Sequence, residues 1–107
     1  MELRDLIGVP YKLHGRDLNG LDCYGLTQLA VKILTGITMP DIDTFETKYI
    51  KLEKAEKNAI IVFDKGAHCG VYLGYGEFIH CDKNGVNIAQ LNNWQCRVSG
   101  YYKVCNN

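Results

Sequence analysis

The sequence predicts an α+β fold, in which N-terminal helices pack on an antiparallel sheet of about five to six strands. Two observations support this prediction. Apolar residues recur at helical spacing between residues 26 and 34, in the first third of the chain. From residue 59 onward they form short β-rich runs separated by glycine-containing turns, as expected for neighbouring antiparallel strands.

The clearest predicted helix begins after Asp22 and ends at Gly36. Asp22 is a typical N-cap residue and Gly36 a typical C-terminal stop. One apolar face repeats between them at helical spacing, formed by Leu26, Leu29, Ala30, Ile33 and Leu34. The preceding segment, residues 9–20, contains proline, glycine and asparagine and is predicted to be a loop.

The middle of the chain gives weaker signals. Asp43 and Glu46 have the spacing of a capping box, which predicts a short helix through Phe45 and Tyr49. The segment 51–58 carries lysines and glutamates of alternating sign and is predicted to be a solvated turn.

Five strands are predicted in the second half, at residues 59–63, 68–73, 77–81, 86–89 and 100–104. Gly74-Tyr75-Gly76 is predicted to be the turn between the second and third of these strands. Asn84-Gly85 is a strong hairpin signal before the fourth. The last strand is expected to close the sheet.

Length and charge limit the class of protein. The 107 residues fit a single domain, residues 1–107. Twelve Lys and Arg balance twelve Asp and Glu, so there is no electrostatic reason to expect nucleic acid as a partner. No stretch approaches the roughly 20 apolar residues of a membrane span, and residues 1–5 do not open a secretory signal. We therefore expect cytoplasmic synthesis without a signal peptide.

Five cysteines without a CxxC pair argue against a disulfide framework, and one of them has a distinctive position. Cys23 falls in the first turn of the predicted helix, directly after its cap. Unpaired backbone N–H groups and the helix dipole favour thiolate over thiol there, and the same groups can hold an oxyanion. We therefore assign Cys23 as a nucleophile and expect Gly25 to leave room beside the sulfur for a substrate backbone.

A thiolate nucleophile needs a base, and two histidines flank a predicted hairpin. With a three-residue turn, Gly70 faces His80, so that His68 and His80 lie on one face as diagonal neighbours about 7–8 Å apart. A two-residue turn would place them on opposite faces. The first geometry makes His68 the base and His80 the residue that holds its imidazole in the working tautomer.

A zinc site formed by Cys23, His68 and His80 is an alternative interpretation of the same residues. It is disfavoured because each histidine is followed by a cysteine whose side chain points to the opposite face of its strand. We expect neither a metal nor an organic cofactor.

Four motifs together resemble those of the NlpC family of bacterial cell-wall cysteine peptidases, a compact papain-like group. Residues 22–26 are similar to its nucleophile motif, and residues 68–74 to its base motif. Residues 77–80 match a strand that ends in a second polar triad member, here His80. Pro10-Tyr11 matches a pair whose tyrosine lies near the cysteine and the oxyanion. The similarity extends from about Val9 to Val104.

Three departures from the family pattern affect the expected substrate more than the chemistry. Tyr24 replaces the usual serine after the nucleophile, which resembles a phage-tail branch of the family. Cys69 replaces an apolar residue after the base and is expected to change only packing. Asn58-Ala59 replaces the Gly-Asp pair that normally precedes the first core strand.

The resemblance implies a papain-like NlpC-type fold and hydrolysis of an amide bond in peptidoglycan stem peptides through a thioester acyl-enzyme. The candidate catalytic residues are Cys23, His68, His80 and Tyr11, and the candidate substrate-binding residues are Tyr24, Gly25 and Asp22. Two alternatives stay open. One is a phage tail component with weak or vestigial activity, for which phage tail proteins are the partners and the virion tail or lysis gives delivery. The other is an amidase or acyltransferase that acts on another amide.

Overall fold

The structure, a computed structural model, describes residues 1–39 and 49–104. Within these ranges the chain forms one α-helix, α1 (Cys23–Thr35). The strands are β1 (Arg16–Asp17), β2 (Gly20–Leu21), β3 (Tyr49–Leu52), β4 (Ile60–Phe63), β5 (His68–Gly74), β6 (Glu77–Asp82), β7 (Gly85–Gln90) and β8 (Val98–Val104).

Six strands form one antiparallel sheet in the order β3-β8-β4-β5-β6-β7, and β1 and β2 form a separate hairpin. The helix α1 packs on β5 and β6, which confirms the predicted α+β fold. The prediction of more than one N-terminal helix is wrong for the described residues, which contain one α-helix. Their other helical segments are short 3-10 turns such as Leu3–Leu6, because only residues 23–35 combine a cap, a stop and a continuous apolar face.

The helix begins and ends where the sequence indicates. The Asp22 side chain accepts a hydrogen bond from the Gly25 N–H at 2.8 Å, which satisfies a donor that the first turn leaves unpaired. Gly36 adopts a left-handed conformation with φ 79°, and its N–H donates to a carbonyl of the last turn. The predicted apolar face packs on the sheet, where Leu26 and Ala30 are fully buried.

The sheet separates two apolar layers. On the helix side, Ile60, Val71 and Ile79 are fully buried against α1. A smaller cluster on the opposite side consists of Ile61, Phe63, Phe78 and Leu91. Successive strand residues contribute to different layers because their side chains point to opposite faces. No helix within residues 1–39 and 49–104 combines the length and apolar character that crossing a membrane requires.

Four expectations, about three local segments and the place of the last strand, differ from the structure. Part of the predicted loop at residues 9–20 forms the β1–β2 hairpin. The strand β3 occupies the end of the predicted short helix and the start of the predicted solvated turn, because Tyr49 and its neighbours pair with β8. The strand β8 lies inside the sheet, between β3 and β4. Residues 43–48, which carry the rest of the predicted short helix, lie outside the described residues.

The β5–β6 hairpin has the predicted register but a different turn. Gly70 lies opposite His80, as a three-residue turn predicts, whereas the turn itself comprises residues 75 and 76. A β-bulge at Leu73 supplies the extra residue, and this restores the parity that a two-residue turn would invert. His68 and His80 therefore lie on the same face of the sheet, opposite to α1.

Candidate active site

Cys23 is the first residue of α1, where the helix N-terminus meets the start of β5. The thiol of Cys69, the second residue of β5, lies 3.6 Å from the Cys23 carbonyl oxygen and 3.3 Å from Thr27 Oγ1. The Thr27 hydroxyl also donates to the Cys23 carbonyl, at 2.8 Å. These contacts hold the start of β5 against the first turn of the helix, beside the half-buried Cys23 side chain.

Two neighbours stabilise the thiolate form of Cys23. A hydrogen bond from the Cys69 thiol is the largest influence, and it acts against the opposing effect of burial. A hydrogen bond and positive charge from His68 act in the same direction as Cys69. Together they lower the pKa of Cys23 to about 4. The sulfur is therefore an anion at neutral pH, which is the form of cysteine that acts as a nucleophile.

The two histidines meet as the hairpin geometry predicts. His68 Nε2 lies 2.8 Å from His80 Nδ1. Gly70, which pairs with His80, leaves no room for a side chain, because a Cβ there would lie 2.6 Å from the Ile79 carbonyl oxygen and 3.0 Å from the His80 Cβ. With its Nε2 engaged, His68 has only Nδ1 left for the Cys23 sulfur. His80 thus engages one nitrogen of the His68 ring, and His68 in turn lowers the pKa of Cys23.

His80 is buried, and its second ring nitrogen is also engaged. It is 1% exposed, and its Nε2 lies 3.1 Å from Asn87 Oδ1 on β7. Burial and the positive charge of His68 lower the pKa of His80, against the opposing influence of Asp82 and of the Asn87 hydrogen bond. This balance favours the neutral form of His80.

Aromatic rings enclose the histidine pair. Trp94 stacks on His68 with ring centroids 5.8 Å apart, and its ring is nearly perpendicular to that of His80, with centroids 4.9 Å apart. Phe78 contacts His80 at 4.8 Å, and Phe63 contacts His68 at 5.6 Å. The rings hold both imidazoles in place and lower the local dielectric, which strengthens the hydrogen bond between them.

Cys23 and His68 open into a cleft of about 470 Å³. Tyr11, which is 42% exposed, lies on the wall of this cleft, so the tyrosine of the Pro-Tyr pair shares one cavity with them. Arg97 lies at the same cleft, where its guanidinium forms an ion pair with Asp64. A polar substrate can reach the sulfur through this opening.

Asp22, Tyr24 and Gly25, which were assigned to substrate binding, are not among the residues that line this cleft. Asp22 and Tyr24 are each only 9% exposed, and Asp22 accepts a hydrogen bond from Arg16 at 2.7 Å. Burial opposes ionisation of Asp22, but hydrogen bonds from the Gly25 N–H and from Arg16 lower its pKa below the usual value. A side chain at Gly25 would meet the Gly15 carbonyl. The expectation that Gly25 leaves room for a substrate is therefore wrong, because the chain's own backbone fills that space.

The remaining polar groups near the site do not form a cluster of metal ligands. Among the described residues, no three His, Cys, Asp or Glu side chains are grouped closely enough to hold an ion. Cys81 donates its thiol to the Leu21 carbonyl at 3.1 Å. Burial is the main cause that raises the pKa of Cys81 to about 11, so this thiol is weakly reactive.

Two residues of the site, Asn87 and Trp94, are missing from the sequence-based assignment. Strand parity across the second hairpin could have identified Asn87, because it lies opposite His80. Trp94 lies in an irregular turn, for which no periodic pattern exists. The expectation that Cys69 changes only packing is incomplete, because Cys69 also lowers the pKa of Cys23.

Comparison with known proteins finds relatives of this sequence. The sequence profile of the NlpC/P60 family matches residues 8–102. The probable endopeptidase NlpC homolog of Haemophilus influenzae is 32% identical over 90 residues, which cover 79% of this chain and 49% of that protein. The probable peptidoglycan endopeptidase LytE of Bacillus subtilis is 27% identical over 105 residues, which cover 92% of this chain and 31% of that protein. The chain thus spans half or less of the length of these two relatives.

A solved structure has the same fold. The NlpC/p60 domain of the peptidoglycan hydrolase SagA superposes with a TM-score of 0.75 at 21% identity, over 95% of this chain and 92% of that one. The profile match covers most of the chain and includes both the segment around Cys23 and the hairpin that carries the two histidines. By this match, the protein belongs to the NlpC/P60 family.

Proposed function

We propose that the chain is a cysteine peptidase that hydrolyses an amide bond in peptidoglycan stem peptides. Cys23 is the nucleophile, His68 the general acid and base, and His80 the orienting residue. The observation that supports this most is the 2.8 Å contact of His68 Nε2 with His80 Nδ1, at an open cleft that His68 shares with Cys23, whose pKa it lowers. A thiolate, a base and an orienting group within hydrogen-bond reach are what nucleophilic acyl transfer requires.

Acylation begins when the Cys23 thiolate attacks the carbonyl carbon of the scissile amide. The oxyanion forms beside the N-terminus of α1, where the Cys23 backbone N–H and the helix dipole stabilise negative charge. Tyr11, on the wall of the same cleft, is a further candidate donor. His68 then transfers its Nδ1 proton to the leaving amine nitrogen, the C–N bond breaks and a thioester remains on Cys23.

Deacylation reverses the proton flow. A water molecule attacks the thioester carbonyl while the lone pair on His68 Nδ1 accepts one of its protons. The C–S bond breaks, a carboxylic acid leaves, and the thiolate and protonated His68 are restored. His80 keeps the imidazole of His68 in the same orientation through both steps, because it holds the far nitrogen of that ring.

The substrate class rests on the family and on its named members. Both relatives described above are named as endopeptidases, and LytE as a peptidoglycan endopeptidase. Lys83 brings a positive charge to the cleft beside Asp82, whereas the charge of Arg97 is paired with that of Asp64. Three expectations stay predictions: that residues 1–107 form a single domain, that phage tail proteins are partners, and that a virion tail or lysis delivers the protein.

The test is digestion of defined peptidoglycan fragments by the wild type, Cys23→Ala and Cys96→Ala, with products identified by mass. Cys96 is an exposed cysteine and serves as the matched control. We expect the wild type and Cys96→Ala to release the same stem-peptide products. Cys23→Ala should be slower by at least about a thousandfold, since the nucleophile is lost.

Equal cleavage by Cys23→Ala would contradict the assignment of the nucleophile. A wild type that leaves peptidoglycan intact but acts on other amides in a substrate panel would contradict the substrate class and favour the amidase or acyltransferase alternative. Inactivity on every substrate would favour the structural tail component.

A further inference from the structure

We propose that Asn87 is a positioning residue, which fixes the tautomer of His80 and thereby sets the direction of the hydrogen-bond chain that ends at Cys23. This inference rests on the proposed function, in which His68 must exchange protons through the nitrogen that faces the sulfur. It adds a fourth member to the series formed by Cys23, His68 and His80.

The orientation of the Asn87 amide is determined by its other contacts. Its Nδ2 donates to the Gly85 carbonyl at 2.9 Å and lies 3.4 Å from Asp82 Oδ1. A carbonyl and a carboxylate only accept hydrogen bonds, so the NH₂ group must face them and Oδ1 must face His80. An amide oxygen has no proton to donate, and it lies 3.1 Å from His80 Nε2. The proton of a neutral His80 is therefore on Nε2.

The tautomer of His80 then determines the arrangement of His68. With its proton on Nε2, His80 presents a lone pair at Nδ1, and this accepts the Nε2–H of His68 at 2.8 Å. The Nδ1 of His68 is left to face Cys23, with a proton before acylation and with a lone pair after it. In the opposite tautomer, His80 would present a proton to His68 Nε2, and two N–H groups would oppose each other whenever His68 is protonated.

Charged groups on several elements act on His80. Asp82, on β6, favours a protonated ring, whereas His68, on β5, and Arg97, in the turn before β8, disfavour it. A carboxylate in place of the Asn87 amide would add negative charge from β7 and favour the protonated ring. A protonated His80 has no lone pair at Nδ1, so it cannot accept the hydrogen bond from His68.

The first test needs only the wild-type protein. Labelling the histidines with ¹⁵N and recording NMR spectra over pH distinguishes a protonated ring nitrogen from an unprotonated one. We expect neutral His80 to be protonated at Nε2 and unprotonated at Nδ1. Protonation at Nδ1 would overturn the proposal, and this result does not depend on whether any variant folds.

The second test uses three variants and the rate at which Cys23 reacts with iodoacetamide, followed by peptide mass over a range of pH. Asn87→Leu removes the acceptor at similar volume, Asn87→Asp keeps an acceptor and adds charge, and Gln90→Leu removes an exposed amide from the same strand as the control. We expect Asn87→Leu to slow the reaction by up to about tenfold in mild acid, as for loss of one charge-coupled hydrogen bond, and little at neutral pH, where Cys23 stays a thiolate.

Asn87→Asp should react slowly at acidic pH and recover as the pH rises and His80 loses its added proton. Gln90→Leu should match the wild type. If folded Asn87→Leu and Asn87→Asp both follow the wild-type profile, the proposal is overturned. Neither readout uses peptidoglycan, so the two hypotheses can fail separately. If NMR and alkylation give the expected results but the wild type does not cleave peptidoglycan, the role of Asn87 is supported and the proposed substrate is contradicted.

Discussion

At the scale of single residues, the chemistry of Cys23 depends on which side chains reach its sulfur. His68 and Cys69 are consecutive residues whose side chains point to opposite faces of β5. Both lower the pKa of Cys23, because the N-terminus of α1 meets this strand at its very start. The position of the start of β5 beside the helix therefore supplies the nucleophile with a base, His68, and with a second thiol, Cys69, that stabilises its anion.

We predict that Cys69→Val raises the pKa of Cys23, because it removes the largest influence that lowers it. The thiolate exists above this pKa, about 4 in the wild type, and is lost as the pH falls through it. A raised pKa moves that loss to higher pH, so alkylation should slow markedly in mild acid and little at neutral pH or above. The measurement is the pH profile of Cys23 alkylation, with Cys96→Val as the control. An unchanged profile would show that Cys69 serves packing alone.

At the scale of elements, the N-terminus of α1 is joined to the segment before it through one carboxylate. Asp22 accepts hydrogen bonds from the Gly25 N–H at 2.8 Å, from the His14 N–H at 3.0 Å and from Arg16 at 2.7 Å. Gly25 admits the Gly15 carbonyl against the same turn of helix. Asp22 and Gly25, which the sequence-based assignment gave to substrate binding, thus hold the start of the helix in position.

We predict that Asp22→Ala lowers the free energy of unfolding by about 1–2 kcal/mol at neutral pH, the usual effect of losing an N-cap. The pKa of Asp22 is lowered by folding from 3.8, so its contribution is present above that value and lost as the pH falls through the folded pKa. Urea unfolding at neutral and at strongly acidic pH should therefore show a difference that shrinks in acid. Asp17→Ala removes an exposed carboxylate of the β1–β2 hairpin just before Asp22 and should change stability little. Equal effects of the two variants would contradict the capping role.

At the scale of the whole molecule, the candidate site draws on both layers that the sheet separates. Cys23 comes from the helix layer, and His68 and His80 come from the layer that contains Phe63 and Phe78. The two sets meet at the end of the sheet where β5 begins. Packing in the second layer therefore affects the histidines directly, whereas packing in the first layer affects them only through global stability.

We predict that Phe78→Ala and Ile60→Ala both destabilise the protein, by about 3–5 and about 2–5 kcal/mol respectively. Both side chains are fully buried, but only Phe78 contacts His80. Under conditions in which both variants are folded, Phe78→Ala alone should slow the alkylation of Cys23. Urea unfolding gives the stabilities, and the alkylation rate at low denaturant gives the effect on the site. A similar slowing in Ile60→Ala would contradict the separation of the two layers.

The sequence by itself determined those features that depend on neighbours a few residues apart. The ends of α1 follow from Asp22 and Gly36, because caps act within one helical turn. The shared face of His68 and His80 follows from strand parity within one hairpin, although a bulge and not a longer turn maintains it. The placement of Cys23 at the start of a helix follows in the same way.

Only the tertiary structure decided which distant segments meet. The pairing of β3 with β8 and the entry of the Gly15 carbonyl beside Gly25 have no local signal. The same holds for the contact of Cys69 with Cys23 and for the position of Trp94 over the histidines. Such contacts depend on how one layer crosses another, and the free energy that selects them is shared among many buried side chains rather than carried by any short motif.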